Sequence, residues 1–295
     1  MAELELTVIR GKDESGKSLD ITIKTGSEAV SGKLTYKTIY WERKTSSTDW
    51  GEAKLPADIE FELNMASISF NKQMYSPNEI TVNIQLSPVC PADYERKAFI
   101  SNNDLTDIFA NKKVAMKCDS ISVCTDYYVH DIIPSRYRDE QYVTLKIYSP
   151  DKVMTLTPYS KTFISKRLDS EIIKNEISKF TLPYDDEKTV PYSASNMIHL
   201  KKNGKEHIFP YLVLYNESFY DFLARTTNRW GEFMYYEKGK LNIGYEKTTL
   251  PDNQQDTISG YSSLTWHDLT ELQPSQKQED LGPYVPEAVY DNNVL

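Results

Sequence analysis

The stretch Gly11-x-x-x-x-Gly16-Lys17-Ser18 matches the pattern of a phosphate-cradling loop letter for letter. That chemistry requires backbone N–H groups wrapped around phosphates and a helix that opens directly behind them. The residues in front, Glu3 to Arg10, suit the strand that such a loop follows. The residues behind do not suit a helix. Leu19-Asp20-Ile21-Thr22-Ile23-Lys24 alternates with period 2 and is rich in β-branched side chains, which predicts a strand. Nor is there an apolar strand ending in an aspartate placed for magnesium, since Tyr211 to Tyr215 runs into Asn216-Glu217. The expectation here is a hairpin loop, and an NTPase reading is disfavoured.

Metal ligation has equally thin support. Cys118, Cys124 and His130 are spaced by six, and each six-residue step along a strand separates its ends by about 20 Å. His199 and His207 flank a turn signal at Asn203-Gly204, but no third ligand accompanies them. Asp185-Asp186-Glu187 reads as a solvated charge run. There is no Gly-x-Ser-x-Gly elbow, and His267-Asp268 are neighbours in sequence, which does not make a triad. No catalytic, cofactor-binding or metal-ligating residue is assigned, and no cofactor is expected.

The composition narrows the classes further. The chain has 295 residues, which at roughly 150 residues per domain suggests two domains. Its 34 basic against 43 acidic side chains give a net charge of −9, which argues against a nucleic-acid coat or a polybasic membrane binder. Three cysteines (Cys90, Cys118 and Cys124) are too few for a disulfide framework and are read as reduced thiols. The start, Met1-Ala2-Glu3-Leu4-Glu5, has neither a basic nor an apolar region of a signal peptide. The apolar run Ile208 to Tyr215 is far below the ~20 residues that a bilayer demands. The expectation is a cytoplasmic product without stable membrane insertion, any export of which uses no cleaved leader. The 21 tyrosines favour strands and contact surfaces over helical bundles.

The elements that must position these residues are mostly strands. Period-2 alternation marks Leu4 to Val8, Leu19 to Ile23, Ile59 to Leu63, Ile80 to Leu86 and Val143 to Ile147. Short strands punctuated by Gly, Ser, Asn and Pro predict an antiparallel barrel or sandwich. Two segments depart from this. Asp169 to Ser178 sets Leu168, Ile172, Ile173 and Ile177 on one helical stripe, with Asp169 or Ser170 as cap. Ser218-x-x-Asp221 forms a capping box ahead of Phe219, Phe222, Leu223, Thr226 and Trp230, which share one helical face, and Gly231 is a natural stop. A hairpin from Phe233 to Tyr245 follows around Glu237-Lys238-Gly239-Lys240.

The run Tyr215-Asn216-Glu217-Ser218-Phe219-Tyr220-Asp221-Phe222-Leu223-Ala224-Arg225, with Trp230-Gly231 and the aromatic hairpin, resembles the hub region of VgrG proteins and phage tail hub proteins. The order, the spacing and the helix-to-hairpin context all match over about 155–245. Tyr220 and Thr226-Thr227-Asn228 depart from the usual pattern. The resemblance implies a mainly β (α+β) protein with an antiparallel β-barrel tube domain over 1–157. It implies a small α/β domain with the helix-and-hairpin motif over 158–248, while the polar runs after Thr248 are read as a linker and the start of another domain over 249–295. It also implies a homotrimer at the base of a spike, in a type VI secretion or related contractile injection system. Its partners would be a hexameric tube protein (Hcp-like), spike-tip and baseplate proteins, and in some systems effector cargo. Tyr215, Asn216, Glu217, Ser218, Asp221, Phe222, Leu223, Arg225, Trp230 and Gly231 are then structural motif residues, and the protein is not an enzyme. The competing reading is a carbohydrate-binding β module that stacks sugars on Trp41, Trp50 or Trp266.

Overall fold

In the computed structural model of the chain, the described residues are 4–244, apart from 13–15, 17, 26–31, 120 and 203. The expected linker at 249–295 lies outside them. The chain divides into two units by its contacts. The first comprises Met1–Met154, Ser178–Pro191 and Tyr236–Lys240; the second comprises Thr155–Ile177, Tyr192–Tyr235 and the chain from Leu241 onward. In the structure the division is interleaved, because Leu182 and Val190 are buried within the first unit and the Tyr184 hydroxyl donates to the Asp126 carbonyl there.

The first unit is built on one nine-stranded sheet. Its strands are β1 (Leu4–Ile9), β2 (Ile21–Thr25), β3 (Gly32–Lys44), β4 (Lys54–Asn71), β5 (Glu79–Pro88), β6 (Tyr94–Ala98), β7 (Lys113–Cys118), β8 (Ile121–Tyr137) and β9 (Glu140–Tyr148). They lie in the order β2-β1-β7-β8-β9-β5-β4-β3-β6, and every pairing is antiparallel. The register sets apolar against apolar: Leu6 faces both Ile23 and Met116, Leu63 faces Leu86, and Val82 faces Leu145. All of these are buried, and slipping any strand by one residue would turn its apolar set toward water.

The sheet curls strongly. Gly32 in β3 lies so near β2 that a Cβ there would sit 2.3 Å from the Thr22 carbonyl oxygen. Only glycine permits that approach between strands that sit far apart in the sheet order. Helix α1 (Asn102–Phe109) packs against β8 and buries Leu105, Ile108 and Phe109. Its Ser101 cap, with Asp104 three residues on, repeats the capping-box spacing.

Downstream come β10 (Tyr159–Arg167), a turn of π-helix over Leu168–Ile173 that runs into α2 (Lys174–Ile177), β11 (Thr181–Leu182) and β12 (Asp185–Thr189). Then follow β13 (Tyr192–Asn196), β14 (Lys201–Lys202), β15 (Lys205–Glu206), β16 (Ile208–Glu217), α3 (Phe219–Arg229), β17 (Met234–Glu237) and β18 (Lys240–Gly244). In the second unit, β10 and β16 form an antiparallel ribbon, and β13 pairs with β18 in parallel. The expected stripe of Leu168, Ile172, Ile173 and Ile177 is buried, but neither Asp169 nor Ser170 caps it. Arg167 is the cap residue, and Glu171 reaches back to accept its backbone N–H at 2.9 Å. Asp169 instead accepts from Lys201 at 2.6 Å and from the Tyr192 hydroxyl at 3.3 Å.

Candidate functional site

The motif read from the sequence folds as one continuous device. Tyr215 stands exposed near the end of β16, and Asn216 follows with φ 46°, a left-handed conformation that asparagine tolerates better than most residues. The Asn216 N–H donates to the Ser160 hydroxyl at 3.0 Å. Ser218 then caps α3: its hydroxyl accepts the Asp221 N–H at 3.0 Å and donates to the Asp221 carboxylate at 2.6 Å. Glu217 and Arg225 form a two-pronged ion pair, with nitrogen–oxygen distances of 2.6 and 3.3 Å. The same guanidinium also donates to the Val213 carbonyl at 2.9 Å, so it ties the helix to β16.

Phe222 and Leu223 are fully buried, and the Phe222 ring lies 5.6 Å from that of Phe163 on β10. The helix ends in a Schellman motif. Gly231, at φ 72°, donates to the Asn228 carbonyl, and Glu232 donates to the Thr227 carbonyl. Trp230 is the C-cap, and its ring packs against His207 at 4.7 Å and Phe209 at 5.5 Å. The Thr226-Thr227 step, which departs from the family pattern, is buried, and the Thr227 hydroxyl bonds back to the Leu223 carbonyl at 2.7 Å. The hairpin β17–β18 turns on Lys238 (φ 52°) and Gly239 (φ 74°), a two-residue type I′ loop.

Sequence reasoning did not single out Glu232. Its side chain is 1% exposed, and its carboxylate accepts three backbone N–H groups, from Ile198 at 3.2 Å, His199 at 2.7 Å and Leu200 at 2.8 Å. It organises a loop more than thirty residues upstream. Its only sequence signal is an acidic residue directly behind the helix-stopping glycine. Glu176 is comparably buried and takes hydrogen bonds from the Tyr159 hydroxyl at 2.8 Å and from Lys161. Burial, and then that hydrogen bond, push the Tyr159 hydroxyl well above the usual phenol range.

Among the described residues, the other candidates do not assemble into a reactive centre. Lys12 and Ser18 pair in an antiparallel bridge, Leu19 donates to the Gly11 carbonyl at 2.8 Å, and the Asp20 carboxylate accepts the Arg10 N–H at 2.8 Å. The glycine-rich segment therefore closes a β1–β2 hairpin, and a strand follows it; Lys17 lies outside the described residues. Cys124 faces Met116 in the β7–β8 ladder, and burial pushes its thiol up to about 12. His130 is stacked on Tyr128. His207 belongs to the Trp230 cluster, and the His199 N–H serves Glu232. Asp185 is bridged to Lys188. Among the described residues, no three His, Cys, Asp or Glu side chains stand where they could hold one metal ion. The Trp50 ring already has Arg43 at 4.8 Å and Lys97 at 4.3 Å, while Trp266 lies outside the described residues. Among the described residues, no helix is long and apolar enough to cross a membrane.

No protein-family model matches the chain, and no curated protein matches it. Solved structures do resemble it. The 43 kDa tail protein of prophage MuSo2 from Shewanella oneidensis matches at 12% identity and a TM-score of 0.40, over 82% of this chain and 53% of that one. The E. coli c3393 protein, a component of the type VI secretion system, matches at 9% identity and a TM-score of 0.42, over 64% of this chain and 50% of that one. A chain of the Francisella PdpA–VgrG complex matches at 14% identity and a TM-score of 0.34, over 92% of this chain and 32% of that one. The chain thus spans about half the length of the first two.

Proposed function

We propose that this chain is a non-enzymatic, VgrG-like structural hub at the base of the spike of a type VI secretion or related contractile injection system. In this reading it forms a homotrimer and adapts a trimeric spike to a hexameric, Hcp-like tube. It also contacts spike-tip and baseplate proteins, and is assembled in the cytoplasm before leaving with the apparatus. The observation that carries the reading is the realisation of the Tyr215–Gly231 run. The capped helix α3, its stop at Gly231 and the β17–β18 hairpin follow one another in the helix-to-hairpin order on which the resemblance rests. Its polar groups are consumed in building that device. Ser218 and Asp221 serve the helix start and Glu217 is held by Arg225, so none is left placed as nucleophile or base. A mainly antiparallel, curled sheet suits a wall that must resist load along its strands.

The test is the oligomeric state of the complete gene product by multi-angle light scattering at assembly concentrations, together with co-purification of the tube protein encoded in the same genome. A trimer that retains the tube protein is expected. A strictly monomeric full-length product overturns the reading.

A further inference from the structure

A cavity of about 810 Å³ opens in the first unit between the end of β1, the turn ahead of β7 and the β11–β12 turn. Its volume is that of a site for a small organic molecule. Three cations meet there. Ile9 and Lys113 are the last pair of the β1–β7 ladder, and just beyond them the chain places Arg10 and Lys112 on the same cavity. Among the described residues, none of the three charged groups stands within ion-pair distance of a carboxylate or donates a hydrogen bond; the Lys113 ammonium lies 5.6 Å from the centre of the Tyr184 ring.

Arg10 is half-buried, and burial lowers its guanidinium below the ordinary arginine value although the charge of Asp20 opposes the shift. The Asp20 carboxylate is itself turned to the backbone, where it accepts the Arg10 N–H at 2.8 Å and the Gly11 N–H at 3.3 Å. Like charges gathered at neighbouring strand ends, one of them partly desolvated, cost stability that a bound anion would offset.

The acids around the cavity do not cancel these cations. Asp185 is bridged to Lys188 at 2.6 Å, Asp126 accepts from the Tyr236 hydroxyl, and Asp186 is exposed. Lys188 and Asp185 offset one another, and Arg10, Lys112 and Lys113 outnumber Asp126 and Asp186. The cavity is therefore positive in a chain whose net charge is −9. Ile9, Leu182 and Pro183 supply an apolar wall, and the Tyr184 ring beside them is held by its hydroxyl, which donates to the Asp126 carbonyl at 2.9 Å. A phosphate monoester brings close to two negative charges and three acceptor oxygens, enough for a guanidinium and two ammonium groups, whereas a carboxylate brings one charge and two oxygens.

We propose that this cavity binds a phosphate monoester with an apolar body, its phosphate held by Arg10, Lys112 and Lys113 and its body resting on Ile9, Pro183 and the Tyr184 ring.

The test titrates the full chain with phenyl phosphate by calorimetry, with benzoate as the carboxylate of similar body. Phenyl phosphate is expected to bind in the millimolar range or more tightly, and to exceed benzoate about tenfold. Arg10→Gln should weaken it about tenfold, the loss of one charge-assisted hydrogen bond. Lys112→Gln and Lys113→Gln, which remove no side-chain hydrogen bond of the fold among the described residues, should each weaken it about threefold or more. Lys37→Gln, at an exposed site on β3, should leave binding unchanged. Phenyl phosphate should also raise the melting temperature of the parent chain, and raise that of Lys112→Gln less. Three outcomes overturn the proposal: no heat and no thermal shift with millimolar phenyl phosphate, benzoate binding as tightly as phenyl phosphate, or full binding retained by Lys112→Gln and Lys113→Gln.

Discussion

The two units solve the problem of specificity differently. In the first, register does the work: nine strands hold one another, and the buried residues repeat along the ladders so that each strand is aligned by many equivalent contacts. In the second, the ladders are short, and single buried groups fix the geometry: Glu232 under the 198–200 loop, Glu176 against Tyr159 and Lys161, and Ser218 at the head of α3. A ladder distributes the cost of an error over many contacts. A buried carboxylate that serves three N–H groups concentrates it, because all three donors lose their partner together. The lesson is that a small mixed unit can be as sharply specified as a large sheet, at the price of a few irreplaceable positions.

The largest effects should come from the two cores. Phe61→Ala in β4 and Phe222→Ala in α3 both remove fully buried rings, and each should cost about 3–5 kcal/mol by urea unfolding. A loss below about 1 kcal/mol at Phe222 would break the comparison, since the helix would then not be seated on a true core. Next comes Glu232→Ala, which leaves three backbone donors unserved and should cost about 3 kcal/mol. Hydrogen exchange should accelerate at Ile198, His199 and Leu200, while the β5 amides stay protected. Gly32→Ala then probes the sheet: a methyl group 2.3 Å from a backbone oxygen forces β2 and β3 apart, at about 1–3 kcal/mol.

The matched caps sharpen the contrast on a smaller scale. Ser218→Ala, at a buried cap, should lower stability by about 1–2 kcal/mol, and Ser101→Ala, at an exposed one, by about 0.5 kcal/mol. Smallest is the response to acid. The hydrogen bond from Lys54 holds the Glu42 carboxyl in the first unit below its ordinary value of 4.5, and the hydrogen bond from Lys166 does the same for Glu171 in the second. A depressed folded value means stability that is present above the unfolded pKa and lost as pH falls through the folded one. Urea midpoints should therefore decline below about pH 4.5, and Glu42→Gln and Glu171→Gln should each flatten that decline.

Legibility in the sequence followed the same divide. Strands β1, β2, β5 and β9 are visible because each keeps strict alternation over a half-buried face. Strand β8 is not, because a register shift between Val129 and Asp131 breaks its period and Pro134 looks like a stop. That proline is tolerated because the bonds on the β7 side end at Val129, which donates to the Lys112 carbonyl and accepts the Asn111 N–H, five residues before it. Helix α1 escaped notice although Ser101-x-x-Asp104 is a fair cap signal, because eight residues carry too little periodicity. The α3 motif was readable almost to the residue, since capping box, apolar stripe and Gly231 are all local. The Glu232 loop was not, because its partners are more than thirty residues away and only tertiary folding brings them together.

The position of Tyr236 has a consequence for synthesis. Asn78 is buried in the first unit, and its amide donates to the Tyr127 hydroxyl at 2.7 Å and to the Tyr236 carbonyl at 2.9 Å. A ribosome delivers Asn78 long before Tyr236, so the nascent sheet must wait for more than 150 further residues before this amide finds its second acceptor. The first unit is therefore completed only when the tip of the β17–β18 hairpin has been made, and its last buried amide bond closes over a sequence separation of 158 residues.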